Sequence, residues 1–186
     1  MLVISGPSGV GKTTITRAVE RAVDKAVFSV SATTRTKTRA DTDGVDYHFL
    51  TDDEFDARVH GGDFLEHAEY AGHRYGTLRQ PIEEALHEGL LVILDIDIQG
   101  AIQVKDAMPE AYAVFVLPPS EQALLDRLHE RRRETEKQIQ RRFEIAKREI
   151  AQAHTCGAYD AFVVNDELSR AIQETIELVH HRRAMA

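Results

Sequence analysis

The segment Gly6-Pro7-Ser8-Gly9-Val10-Gly11-Lys12-Thr13 constrains this chain more than any other. It follows the pattern G-x-x-x-x-G-K-[ST] without a gap, and its flanks are the ones that pattern requires. Leu2-Val3-Ile4-Ser5 is a short apolar run that stops at glycine and reads as a buried strand. After the glycines, Ile15, Ala18, Val19 and Ala22 keep the three-four spacing of an amphipathic helix from about Lys12 to Asp24. Such glycines let the backbone turn several amide hydrogens onto phosphate oxygens, and the helix adds its positive N-terminal end. Lys12 is expected to reach the β and γ phosphates of a nucleoside triphosphate, the Thr13 hydroxyl to ligate magnesium, and Thr14 to line the same cradle.

Beyond this motif, strand-like and helix-like segments alternate. Val27 to Ser31 reads as a second strand, residues 32 to 46 as loop and turn, and Tyr47 to Leu50 as a strand. Thr51-Asp52-Asp53-Glu54 is a capping box that opens a short helix. Phe64 to Tyr70 and Arg74 to Tyr75 alternate like strands, and Pro81 to Glu88 is helical. Leu90 to Leu94 is the most apolar stretch and reads as a central strand buried on both faces, ending at Asp95. A helix over Gln99 to Lys105 precedes a strand over Tyr112 to Leu117. Ser120 caps a helix carrying Leu124, Leu125 and Leu128. A long charged helix spans about Thr135 to His154, and the last strand is Ala161 to Val164. The final helix is expected to bury Leu168, Ala171, Ile172, Thr175, Ile176 and Val179 on one face. This order implies an α/β fold, a parallel sheet with helices on both faces. Residues of about 32 to 79 break the rhythm and read as an inserted lobe.

The 186 residues suit one compact domain with a sizeable core. No apolar run reaches 18 residues, which argues against a membrane span, and the N-terminus enters the glycine motif too soon to read as a signal peptide. A net charge of −8 argues against a general nucleic-acid binder. Cys156 is the only cysteine, so no intrachain disulfide can form, which fits a reducing cytoplasm. None of the nine histidines shows metal-ligand spacing. Positive charge concentrates between Arg127 and Arg148, where nine Lys or Arg stand against four Glu, as phosphate chemistry would require.

Further motifs follow in order: Ser31-Ala32-Thr33-Thr34-Arg35, Gly44-Val45-Asp46-Tyr47-His48-Phe49, Phe64-Leu65-Glu66-His67-Ala68, Tyr75-Gly76-Thr77, Leu94-Asp95-Ile96-Asp97-Ile98-Gln99-Gly100, Pro118-Pro119-Ser120 and Val164-Asn165-Asp166. With the glycine motif they closely resemble the guanylate kinase family over nearly the whole chain. The resemblance implies a P-loop nucleoside monophosphate kinase fold that transfers the terminal phosphoryl group of ATP to GMP, and to dGMP, with Mg2+. It implies a core of about residues 1–31, 80–126 and 156–186, a GMP-binding lobe of about 32–79, and an arginine-bearing lid of about 127–155. By the same resemblance Arg35, Tyr47 and Tyr75 would hold the GMP phosphate, and Ser31, Glu66 and Thr77 would read guanine. A carboxylate at Glu66 accepts from N1–H and N2–H₂ together, a pair that adenine lacks. Asp95 and Asp97 would divide the orientation of GMP and the magnesium–water shell between them. Arg127, Arg131 and Arg142 fall on the lid's arginine positions, and Asn165 would contact the adenine side of ATP.

Two departures stand out. The family usually carries a second arginine three residues after the first. Here that place holds Thr38, with Arg39 one position later, so Arg39 either swings into the phosphate site or stays on the surface. In the lid, Arg131-Arg132-Arg133 run together where a glycine commonly follows the first. The shifted arginine keeps open a same-fold kinase with another phosphorylated acceptor. The family's fold also serves as a non-catalytic protein-binding module, but such modules typically lose phosphate-binding residues that are present here. The oligomeric state stays open.

Overall fold

The computed structural model describes residues 1–70, 72–130 and 135–185. Arg131, Arg132 and Arg133 fall outside that range. In chain order the elements are β1 (Leu2–Ser5), α1 (Lys12–Ala22), β2 (Ala26–Phe28), β3 (Ala32–Thr33), β4 (His48–Phe49), α2 (Asp52–Gly61), β5 (Phe64–Tyr70), β6 (His73–Leu78), α3 (Arg79–His87), β7 (Leu91–Asp95), α4 (Ile98–Ala107), β8 (Tyr112–Leu117), α5 (Glu121–Glu130), α6 (Glu136–Ala153), β9 (Ala161–Val164) and α7 (Leu168–Met185).

Five strands form a wholly parallel sheet in the order β2-β7-β1-β8-β9. Alternation along each strand divides the core between two faces. Leu2, Ile4, Ile93, Val114, Val116 and Val163 point to the side covered by α1 and α7, where Ile15, Val19, Ala171 and Val179 meet them. Val3, Val92, Leu94 and Ala113 point to the opposite side, against Ile82 of α3 and Ala101 and Val104 of α4. The most apolar run, β7, is an interior strand between β2 and β1, as expected. Apolar content reports burial on both faces, which any interior strand shares.

Several local expectations change. Helix α1 stops at Ala22, because Val23 is extended and Lys25 has a positive φ of 56°. The second strand ends at Phe28, where its pairing with β7 runs out at Ile93. Ala32 and Thr33, within the expected loop, form β3. They pair in parallel with His48 and Phe49 and antiparallel with Tyr75 and Gly76. Leu168, expected on the buried face of the last helix, is 40% exposed in its first turn, next to an equally exposed Val164 on the edge strand.

A second sheet, β4-β3-β6-β5, gathers residues 32 to 78 around Ala32, Phe55 and Phe64. Its helix α2 opens with the expected capping box, Thr51 with Glu54. The edge strand β5 rests on α4. There the Gln103 side chain donates to the His67 carbonyl at 2.9 Å and accepts from the His67 amide at 3.2 Å. Helices α5 and α6 pack on each other through Leu124, Leu128, Ile139 and Phe143. Ser120 accepts from the Ala123 amide at 3.1 Å, as its place before α5 anticipates. The C-terminal half of α6 returns to the core, with Ile150 and Ala153 against Phe115 and Ile98. No helix among the described residues is long and apolar enough to cross a membrane.

Candidate active site

The glycine loop lies between the C-terminal end of β1 and the first turn of α1, at the edge of the sheet where open α/β folds bind ligands. Gly11 is the residue before the helix and has φ +96°, a left-handed conformation that glycine adopts without strain. A Cβ there would lie 2.7 Å from Asn165 Nδ2. Lys12 Nζ donates to the carbonyls of Gly6 at 2.6 Å and Pro7 at 3.3 Å, so the lysine folds over its own loop. Thr13 Oγ1 donates to Asp95 Oδ2 at 2.8 Å, which joins α1 to the end of β7. A hydroxyl and a carboxylate oxygen side by side are hard donors of the kind magnesium takes.

Asn165 is 4% exposed, and its Nδ2 donates to the Val10 carbonyl at 2.7 Å. It braces the loop from below. Its main-chain carbonyl accepts from Arg127 Nη2 at 2.8 Å, which ties α5 to the same brace. Arg142 of α6 reaches the Ser8 hydroxyl from the other side of the loop.

Glu66 owes its position to a bulge. The register of β5 against β6 shifts between Phe64 and Glu66, which sets Glu66 opposite Thr77. Thr77 Oγ1 donates to Glu66 Oε1 at 2.6 Å. The other carboxylate oxygen lies over Gly100, where a Cβ would come within 2.4 Å of it. Glu66 is 4% exposed, and burial pushes its carboxyl up to about 7, although the Thr77 hydrogen bond pulls the other way. Asp97 accepts from the Gly100 amide at 2.8 Å as the N-cap of α4, and burial raises its carboxyl too. The two aspartates thus separate: Asp95 faces Thr13, and Asp97 caps the helix beneath the Glu66 pocket.

Tyr47 and Tyr75 meet edge to face with centroids 5.9 Å apart, and the Arg35 guanidinium sits 5.2 Å from the Tyr47 ring. Arg35 is held by a fork of two hydrogen bonds to Asp41, at 3.0 and 3.1 Å, which keeps the Asp41 carboxyl well below its ordinary range. Thr38 donates from its amide and its hydroxyl to the same carboxylate, both at 2.7 Å. The residue standing where an arginine is usual therefore helps fix Arg35. Arg39 is exposed and has no hydrogen bond or ion pair with a described residue.

Two cavities open on this arrangement. One, of about 230 Å³, runs from Glu66 and Tyr75 to Gly6, Ser8 and Lys12. The other, of about 370 Å³, follows the loop from Gly9 to Thr14. Ser8, Lys12, Ser31, Tyr47 and Asp95 line both. Most of the expected residues line this cleft; Pro7, Val10, Arg35, Arg39, Thr77, Arg127, Arg142 and Asn165 line neither cavity, and Arg131 lies outside the described residues. Tyr70, Glu149 and Asp41 are among the lining residues that the sequence reading did not assign to the site. Tyr70 shares the inward face of β5 with Glu66, a period-two relation that was there to be read. Glu149 stands seven residues after Arg142, about two helical turns along the same face. Asp41 lines the second cavity, where its carboxylate holds Arg35.

Comparison with known proteins agrees with this geometry. The family model described as guanylate kinase matches residues 1–182. The guanylate kinase of Anaeromyxobacter dehalogenans is 46% identical over 98% of this chain and 80% of its own length. That of Thermotoga maritima is 43% identical over 99% of this chain and 87% of its own. The crystal structure of guanylate kinase from Anaplasma phagocytophilum superimposes with a TM-score of 0.78 at 31% identity, covering all of this chain and 85% of that one. A shikimate kinase from Bacteroides thetaiotaomicron, at 17% identity and a TM-score of 0.50, shares the fold alone. With the phosphate loop, the buried Glu66–Thr77 pair and the arginine-bearing helices in place, these matches identify the chain as a member of the guanylate kinase family.

Proposed function

We propose that this protein transfers the γ-phosphoryl group of ATP to the phosphate of GMP, and of dGMP, by direct in-line displacement. The observation that carries this reading is the shared lining of the two cavities. A nucleotide read by Glu66 and a nucleotide cradled by the loop would meet end to end at Ser8, Lys12 and Asp95.

The chemistry follows from the side chains. The acceptor oxygen belongs to a phosphate and is already anionic, so no strong base is needed. The difficulty is to bring two polyanions together. The loop amides and Lys12 take the β and γ phosphates, and Arg35, Tyr47 and Tyr75 take the acceptor phosphate. Ser31, Glu66 and Thr77 read guanine, while Asp97 fixes the floor of that pocket at the start of α4. Thr13 and Asp95 would hold Mg2+, which supplies charge neutralisation at the transferring phosphate. As the bond to the leaving ADP oxygen breaks, one to the GMP phosphate oxygen forms, and charge spreads over the equatorial oxygens. Arg142, with Arg127 and Arg131, stabilises that charge and excludes water. Residues 32–79 act as the acceptor lobe and 127–155 as the lid, on a core of 1–31, 80–126 and 156–186.

Steady-state turnover of GMP, dGMP, AMP, CMP and UMP with ATP and magnesium tests the reading. GMP is expected to lead. AMP turnover well above that of GMP would overturn the acceptor assignment.

A further inference from the structure

Glu149 has no part in the chemistry above, yet it is set into the reaction cleft. It lines the cavity that holds Glu66, and its Oε2 is buried with no hydrogen-bond partner. A carboxylate oxygen in that state costs free energy unless a donor arrives. The groups around it are Lys12 of the loop, Asp97 beneath α4, Tyr70 of β5 and Tyr159, with Arg142 close to Tyr70. Lys12, Tyr70, Tyr159 and Arg142 carry donors, but none of them bonds that oxygen; the Lys12 ammonium is turned onto the Gly6 and Pro7 carbonyls, and the Tyr159 hydroxyl donates to Ser5.

The position of Glu149 on α6 is firm. Ile150 and Ala153 are packed against Phe115 and Ile98, and Gln152 accepts from Gln99 of α4 at 3.3 Å. This end of the helix is anchored to the core, so the carboxylate is held in the cleft before any ligand enters. Burial raises its carboxyl to about 7, despite the pull of Lys12.

We propose that Glu149 is a positioning residue for the acceptor, whose unpartnered Oε2 accepts a hydrogen bond from the nucleoside part of the bound monophosphate. This rests on the acceptor assignment above. The donor chemistry selects the nucleoside over the phosphates. Phosphate oxygens have no proton to give an acid-lined wall, and a second anion there would be repelled. Guanosine offers the ribose hydroxyls, the ring N1–H and the exocyclic amine, and N1–H is already assigned to Glu66. The carboxylate also lies in the cavity of Glu66, whereas the other cavity follows Gly9 to Thr14.

The test is steady-state kinetics of Glu149→Ala and Glu149→Gln, with GMP, dGMP and IMP as acceptors. Glu149→Ala is expected to raise the KM for GMP about tenfold, as the loss of one charge-assisted hydrogen bond does, and to leave the KM for ATP within about twofold. Glu149→Gln keeps an acceptor oxygen and should restore most of the loss. If the Ala penalty disappears with dGMP, the donor is the 2′-hydroxyl. If it disappears with IMP, the donor is the amine. Three results would overturn the proposal: an equal rise in both KM values, a loss in kcat alone, or a Gln variant as defective as Ala. Wild-type enzyme that fails to turn over GMP would instead remove the acceptor assignment itself.

Discussion

Gly100 and Glu66 are fitted to each other: a methyl group on the glycine would stand 2.4 Å from the glutamate's Oε2. Helix α4 passes under the base pocket with no side chain at that turn, and the carboxylate fills the space. Gly100→Ala should push the Glu66 carboxylate off this seat while the helix gains an ordinary helix former. The KM for GMP is expected to rise about tenfold or more, with ATP binding nearly unchanged. Calorimetric titration with each nucleotide separates the two effects, and equal losses would show a general collapse of the cleft.

Proton release is a second consequence of the same pocket. The Glu66 carboxyl lies at about 7 in the free protein, raised by burial from 4.5. Guanine's two donors call for the ionised form, so GMP binding near pH 6 should expel a proton. Binding heats in buffers of different ionisation enthalpy would reveal it, and Glu66→Gln should lower the buffer dependence, leaving the part that comes from Glu149. The linkage also acts on folding. Between the ordinary value and about 7 the folded chain keeps a proton that the unfolded chain has lost, so stability falls as pH rises through that window. Glu149 adds a fall in the same window. Melting temperatures of Glu66→Gln should decline less over this range than those of the wild type.

Asn165→Ala distinguishes a brace from an adenine contact. The substitution leaves the Val10 carbonyl without its buried partner, at a cost of about 1–3 kcal/mol. Urea denaturation should show the loss, and ATP binding should weaken with it. The preference for ATP over GTP as phosphoryl donor should not change. A variant of normal stability with a relaxed donor preference would restore the adenine role.

Arg35 and Arg39 should part company. Arg35 stands beside the tyrosine pair in its Asp41 fork, whereas Arg39 lies on the surface. Arg35→Ala is expected to raise the KM for GMP about tenfold to a hundredfold, and Arg39→Ala less than about threefold. Comparable effects would mean that Arg39 enters the phosphate site when GMP is bound.

Lys12→Ala should lower turnover at least about a hundredfold, since the residue neutralises charge where it develops, and leave the fold intact by circular dichroism. Wild-type rates in the folded variant would contradict the cradle.

Legibility in the sequence followed the range of the signal. Strands β8 and β9 match their expected bounds, because each is a β-rich run closed by Pro118 or by Asn165-Asp166. The phosphate loop and the Thr51 capping box are equally local, and both are found as read. What could not be read depends on distant neighbours. Strand β3 is two residues long and exists only through pairing with residues 48–49 and 75–76. Strand order is silent in composition, which marks β7 as interior but not as the neighbour of β1 and β2. Leu168 has helical spacing, but its turn lies beyond the sheet that would have covered it. Glu149 carries no motif of its own, and its role emerges only from the cavity into which α6 turns it.

Gln103 makes with His67 the two bonds that another strand would have made along the free edge of β5. One amide side chain thus serves as a latch between the small sheet and α4. Glu66 stands on one side of that seam and Gly100 on the other, so these two bonds hold the facing walls of the base pocket in register.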